Sequence, residues 1–203
     1  KSLWATAESL IESSSTSQLL WTSGRAPQHT GNVVDFALHP DGTILASVDQ
    51  GGLIHLWDTE QGSEIQILET RIVPSELTPA TITAIAFSPD GEYFIAASDQ
   101  IEVFQIDADG NFVSVEGPLP QLRRMITSMA FSSDGERLVL ALSEGELYIS
   151  EWWRQNERPP QPLQTPNEIS ESGKIKQMAF HPLDDQMLAI VTQKNCFILL
   201  MEE

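Results

Sequence analysis

The sequence predicts an all-β fold built from a repeated four-stranded unit, on three observations. The same template, apolar alternation interrupted by tight turns, recurs four times along the chain. Three copies share one turn: Pro40-Asp41-Gly42, Pro89-Asp90-Gly91 and Ser133-Asp134-Gly135. Gly42 to Gly91 is 49 residues and Gly91 to Gly135 is 44, close to the roughly 40 to 45 of one four-stranded propeller blade.

The turn chemistry explains the pattern. Proline presets φ, aspartate bonds its own backbone, and glycine tolerates positive φ, so each such turn closes a hairpin between two β-rich runs. In the first unit the strands, lettered a to d, are predicted at about 33–39, 43–49, 53–58 and 63–68. Alignment puts strand c of the next units at Ile101-Glu102-Val103-Phe104, Leu147-Tyr148-Ile149-Ser150 and Phe197-Ile198-Leu199-Leu200. Outer strands d are expected at 112–116 and 163–165. The fourth unit, Met178-Ala179-Phe180-His181-Pro182-Leu183-Asp184-Asp185, has lost the glycine of its turn and has no outer strand after strand c.

The first unit, Val33-Val34-Asp35-Phe36-Ala37-Leu38-His39-Pro40-Asp41-Gly42 followed by Leu53-Ile54-His55-Leu56-Trp57-Asp58, closely resembles a WD40 repeat. The resemblance implies a WD40-type β-propeller with blades over about 18–68, 69–116, 117–165 and 166–203. Such rings usually have seven blades and sometimes eight, so it also implies first that further blades are missing from this chain, and next a four-plus-four homodimer. In that family an N-terminal strand commonly completes the last blade, and Gln18-Leu19-Leu20-Trp21-Thr22-Ser23 is placed to do so. WD40 blades often hold a buried tetrad of His, Ser or Thr, Trp and Asp. His29, Ser47 and Trp57 match it, with Asp58 completing the Trp-Asp pair, but the aspartate position is Gly51 and Asp49 lies two residues off. The other blades carry Phe104, Ser150 and Leu200 in place of the tryptophan, so apolar packing must hold them.

Residues 1–17 differ: Leu3, Trp4, Ala7, Leu10 and Ile11 recur at helical spacing before Ser13-Ser14-Ser15-Thr16-Ser17. This predicts a short helical extension and a serine-rich linker. A helix running into WD40 blades is similar to the junction in signal-transduction ATPases of the STAND class, and implies a sensor or autoinhibitory propeller in a larger signalling protein. The start, Lys1-Ser2-Leu3-Trp4, has neither a signal-peptide core nor an initiator Met, which suggests a chain trimmed from something longer.

Composition narrows the partners. The 11 Lys+Arg against 29 Asp+Glu give a net charge of -18, which repels phosphate backbones and anionic bilayers, so neither nucleic acid nor membrane is expected as a partner. The one cysteine, Cys196, lies in an apolar run and is read as a reduced core thiol, which points to a cytoplasmic location.

Catalytic apparatus is not visible: no Walker loop, no Gly-x-Ser-x-Gly elbow and no His-Glu-x-x-His are present, and no cofactor or metal is expected. Asp107-Ala108-Asp109-Gly110-Asn111 looks like the opening of a calcium loop but lacks the later Glu, so it reads as a turn. A channel enzyme would need polar groups converging from the strands a, where Asp35 stands alone. The expected function is therefore a non-catalytic scaffold binding other proteins or peptides. WD40 proteins most often bind through the top face, formed by the d-to-a and b-to-c loops. Arg71, Glu76, Leu122, Arg123 and Arg124 fall there and are candidates to read an acidic or phosphorylated segment. Trp152, Trp153 and Arg154, on the bottom face, are the alternative binding cluster.

Overall fold

The computed structural model describes residues 29, 31–72, 82–116, 124–151 and 160–201, and the expected helix over 1–17 and strand over 18–23 lie outside them. Blade 1 comprises β1 (Val33–Leu38), β2 (Ile44–Asp49), β3 (Ile54–Asp58) and β4 (Glu64–Leu68). Blade 2 comprises β5 (Ala84–Phe87), β6 (Tyr93–Ala97), β7 (Ile101–Ile106) and β8 (Phe112–Val115). Blade 3 comprises β9 (Ile126–Phe131), β10 (Arg137–Leu142), β11 (Leu147–Glu151) and the two-residue β12 (Gln161–Pro162). After a short helix, α1 (Asn167–Glu171), blade 4 comprises β13 (Ile175–His181), β14 (Asp184–Thr192) and β15 (Cys196–Leu200). Each blade is one antiparallel sheet in chain order, three of four strands and the last of three, arranged as a β-propeller.

The expected turns close the a-to-b hairpins. Gly42, Gly91 and Gly135 have φ of 80, 77 and 74°, and the preceding aspartate accepts the N–H two residues on, as Asp41 does from Thr43 at 2.8 Å. In blade 4 the lost glycine leaves a register shift between Phe180 and His181 instead. Asp107 likewise accepts the N–H groups of Asp109 and Asn111, each at 2.9 Å, closing a c-to-d turn. Two elements differ from expectation. Strand β12 lies two residues before the expected 163–165, with Pro162 tolerated because it pairs along one side of an outer strand. Helix α1 was not anticipated; it starts after Pro166, whose φ of -54° suits a helix entry, and it buries Ile169.

Three apolar cores join the blades in sequence. The face of blade 1 carrying Ala46, Val48, Ile54 and Leu56 packs on Ile85, Phe87 and Phe94 of blade 2. Ile95, Ala97 and Val103 of blade 2 then meet Ile126, Met129 and Leu138 of blade 3. Val139, Ala141 and Leu147 of blade 3 meet Met178, Leu188 and Ile190 of blade 4. Each fully buried side chain of this size is worth about 1.5–3 kcal/mol. Cys196 is a correction: it is exposed, because its strand face is not one that packs on blade 3.

Polar clips on the innermost strands repeat with the blades. Thr83 donates to the Ile126 carbonyl of the next blade, and Thr127, at the same repeat position, donates to that of Ile175 at 3.2 Å. One position later, Asp35 accepts the Ile85 N–H at 2.9 Å and Ser128 that of Met178 at 3.2 Å. Farther out, the Gln66 amide bonds both the N–H and the carbonyl of Phe112 at 3.0 Å. These bonds satisfy strand-edge groups that the sheets themselves leave open.

Candidate interaction face

In blade 1 the polar network sits where β2 and β3 meet. Trp57 Nε1 donates to Ser47 Oγ at 2.8 Å, and Ser47 Oγ lies 2.6 Å from His29 Nε2. Asp49 corrects the sequence reading: it, not position 51, supplies the carboxylate. One oxygen accepts the Gly51 and Leu53 N–H groups at 2.9 and 3.2 Å, and the other stands 3.4 Å from His29 Nδ1. Gly51 and Gly52 occupy the turn itself, Gly52 at φ 82°, so the aspartate sits at the strand end. The negative charge beside Nδ1 favours the tautomer protonated there, and we assign the Ser47 hydroxyl as donor to Nε2. Asp58 caps the following turn, accepting N–H from Glu60 and Gln61 at 2.9 and 2.7 Å.

A second histidine extends the network. His55 is buried, pairs through Nδ1 with Glu64 at 2.6 Å, stacks on Trp57 at 5.4 Å and meets the His29 ring edge-on at 4.3 Å. Burial first, and the neighbouring His55 second, push the His29 pKa down, with Asp49 acting against them. In blade 2 the same region is apolar: Phe94 lies 4.8, 6.0 and 6.3 Å from Phe87, Phe104 and Phe112.

The described cations are unevenly placed between the two ends of the blades. Six lysines and arginines fall among the described residues, and four of them, Arg71, Arg124, Lys174 and Lys194, lie in the d-to-a or b-to-c connections. The opposite end gathers carboxylates in its a-to-b turns, among them Asp41, Asp90, Glu92, Asp134 and Glu136. Arg71 is anchored by its own backbone, whose N–H donates to buried Glu102 at 2.6 Å, while its side chain is 76% exposed. Arg124 pairs with Glu144 at 2.6 Å and with Glu146, and reaches the Tyr148 hydroxyl at 3.3 Å. The two glutamates raise its pKa and offset its charge.

Between the blades runs a channel of about 840 Å³ lined by the four inner strands, with Asp35, Thr83, Thr127, Ser128, Lys176 and Gln177 as its polar groups. Burial raises the Asp35 pKa, but both its oxygens are engaged, by the Ile85 and Phe36 N–H groups at 2.9 Å. Among the described residues no three His, Cys, Asp or Glu side chains are placed to hold a metal ion, and no helix is long and apolar enough to cross a membrane.

Comparison with known proteins agrees with this geometry. The family described as WD domain, G-beta repeat matches residues 21–58 and 74–101. The chain carries WD40 repeats. It is 32% identical over 81 residues to the small ribosomal subunit protein RACK1 of Brassica napus, a stretch covering 39% of this chain and 22% of that protein. It is similar also to the LST8 homolog of Drosophila melanogaster, 32% over 88 residues, 40% of this chain and 26% of that protein. Telomerase protein component 1 of Rattus norvegicus matches at 30% over 99 residues, 48% of this chain and 4% of that protein. The matches thus span about a quarter or less of each relative.

Of the site residues expected from sequence, the WD40 blade brings His29, Ser47 and Trp57 together and places Arg71 and Arg124 at one end, each against its own carboxylates. Glu76, Leu122, Arg123, Trp152, Trp153 and Arg154 lie outside the described residues. Sequence reasoning set Asp49 two residues off the aspartate position, and it missed the His55–Glu64 pair and the clips of Thr83 and Thr127. The clips had a signal: a threonine recurs at one repeat position, three residues before Ala86 and before Ala130.

Proposed function

We propose that this chain is a non-catalytic protein-interaction module that holds an acidic or phosphorylated segment of a partner protein on its top face. The observation that supports it is the placement of the scarce cations: in a chain of net charge -18, four of the six described lysines and arginines lie at the end formed by the d-to-a and b-to-c connections, interspersed with carboxylates there. Arg71 is a largely exposed cation there, near Glu102, and Arg123 follows in the next connection of the sequence beside Leu122 and Arg124, with Glu76 in the same connection as Arg71. An arginine fork recognises carboxylate or phosphate in two-point fashion. The relatives named as a small ribosomal subunit protein and a telomerase component are parts of larger assemblies, which favours scaffolding. The engagement of both Asp35 oxygens by backbone N–H groups supports a structural use of the channel's carboxylate over a catalytic one. A cytoplasmic sensor arm in a larger signalling protein fits the same reading.

An array of acidic and phosphorylated peptides tests it. Binding should fall at least tenfold in Arg71→Glu/Arg123→Glu and persist in Trp152→Ala/Trp153→Ala. Loss in the tryptophan variant with retention in the arginine variant would move the site to the bottom face and overturn the proposal.

A further inference from the structure

The described cations divide by type. Arg71, Arg124 and Arg137 each face a carboxylate, Glu102 at 4.0 Å, Glu144 at 2.6 Å and Asp185 at 3.2 Å. Lys174, Lys176 and Lys194 are exposed, and none of them lies within ion-pairing reach of a described carboxylate. All three belong to blade 4 or lead into it.

Backbone geometry gathers them at the end of the blade formed by its connections. The Gln193 N–H donates to the Lys174 carbonyl at 3.1 Å, which ties the turn between β14 and β15 to the residue before β13 and sets Lys194 next to that bond. Lys176 is the extra residue in the register shift between Ile175 and Gln177, a bulge of the kind that re-aims a side chain, and it lines the channel.

Blade 3 uses the same frame differently. There the Ser143 N–H donates to the Met125 carbonyl at 2.9 Å, so Lys194 takes the place of Glu144 and Lys174 that of Met125. Glu144 pairs with Arg124 of the preceding connection, whereas Lys194 has another cation, Lys174, in the connection before its blade. Like charges held together repel, and an anion from outside relieves them. Carboxylates bound the patch. A Cβ on Gly145 would touch the backbone of Ser170 and Gly173, so Glu144 and Glu146 adjoin this corner, and Glu168 and Glu171 are exposed on α1. These disfavour a run of aspartates and glutamates, while a single phosphate dianion concentrates its charge on the lysines.

We infer that Lys174 and Lys194, with Lys176 toward the channel, form a corner that holds one phosphorylated serine or threonine of a partner protein. This rests on the reading of the top face as the docking end, and it places the phosphate on blade 4, leaving Arg71 and Arg123 to carboxylates that flank it. Lysine suits the role because its compact charge carries three rotatable donors without the fixed fork of arginine.

Fluorescence anisotropy of the 203-residue chain tests this with a degenerate peptide pool fixed only at a central phosphoserine, and with matching serine and aspartate pools as references. The phosphoserine pool should bind about tenfold more tightly than either. Lys174→Glu/Lys194→Glu should abolish that preference while its thermal unfolding stays cooperative, and Lys174→Arg/Lys194→Arg should keep it. Arg71→Glu/Arg123→Glu should weaken all three pools alike and leave the preference in place. A preference lost in the arginine variant and kept in the lysine variant overturns the inference and leaves the top-face reading standing. Equal binding of the three pools also overturns it, and binding of no pool overturns both. A single-stranded oligonucleotide bound more tightly than the phosphoserine pool, through the same lysines, would assign the corner to nucleic acid and refute the phosphopeptide.

Discussion

Ser47→Ala separates the hydrogen-bond network of blade 1 from the packing around it. The hydroxyl serves two partners, accepting from Trp57 Nε1 at 2.8 Å and meeting His29 Nε2 at 2.6 Å. Trp57 is 2% exposed, so its N–H has no water to turn to once the hydroxyl is gone. A buried polar group left unsatisfied costs about 1–3 kcal/mol, and two such groups bring the expected loss to about 3 kcal/mol. Trp57→Phe removes the donor as well as part of the core, while Ser47 keeps His29. The indole N–H penalty is thus charged once, and the double variant should lose about 1–2 kcal/mol less than the sum of the singles. Urea unfolding followed by far-ultraviolet circular dichroism reads the cycle. Additivity within about 0.5 kcal/mol would show that the two side chains do not share a bond, and would refute the network as described.

Two further outcomes follow from the geometry. A Cβ on Gly91 would collide with His39 Nε2, whereas one on Gly42 meets nothing within 4 Å, and both residues have positive φ. Gly91→Ala should therefore exceed the left-handed penalty of about 1–2 kcal/mol paid at Gly42→Ala, because it also displaces the His39 contact to the Gly91 carbonyl, and parallel thermal melts compare the two. His29 has a lowered pKa in the folded state, so folding disfavours its protonation. Stability from this group should be complete above the unfolded value near 6.5 and fall as the pH drops below it, a slope that His29→Gln should flatten in unfolding midpoints measured between pH 7.5 and 5.

The fold was legible because its turns are chemically explicit. Asp41-Gly42, Asp90-Gly91 and Asp134-Gly135 mark hairpins through φ and side-chain bonding, which are local properties. Asp49 was misplaced because the spacing of the family turn was counted, whereas the tight Gly51-Gly52 turn moves the carboxylate back to the strand end. Cys196 was read from its apolar neighbours; its exposure depends on which face of β15 has a blade behind it, which no local pattern encodes. Arg71 and Arg124 were assigned to the correct loops, but their pairing with Glu102, Glu144 and Glu146 joins segments about 20 to 30 residues apart and follows from tertiary placement.

The three cores also set how the chain comes apart. Among the described residues the cores couple each blade to the next in sequence, so the 203-residue chain taken as a single copy by itself behaves as a one-dimensional array in which interior units gain two coupling energies and terminal units one. Opening should begin at blades 1 and 4 and reach blades 2 and 3 last, and amide exchange would record it as a gradient along the array. Blade 1 has a compensation that blade 4 lacks: the bonds among His29, Ser47 and Trp57 lie within the blade and hold it without help from a neighbour. The polar network thus reinforces an end of the array, the position where a repeat is least supported from outside.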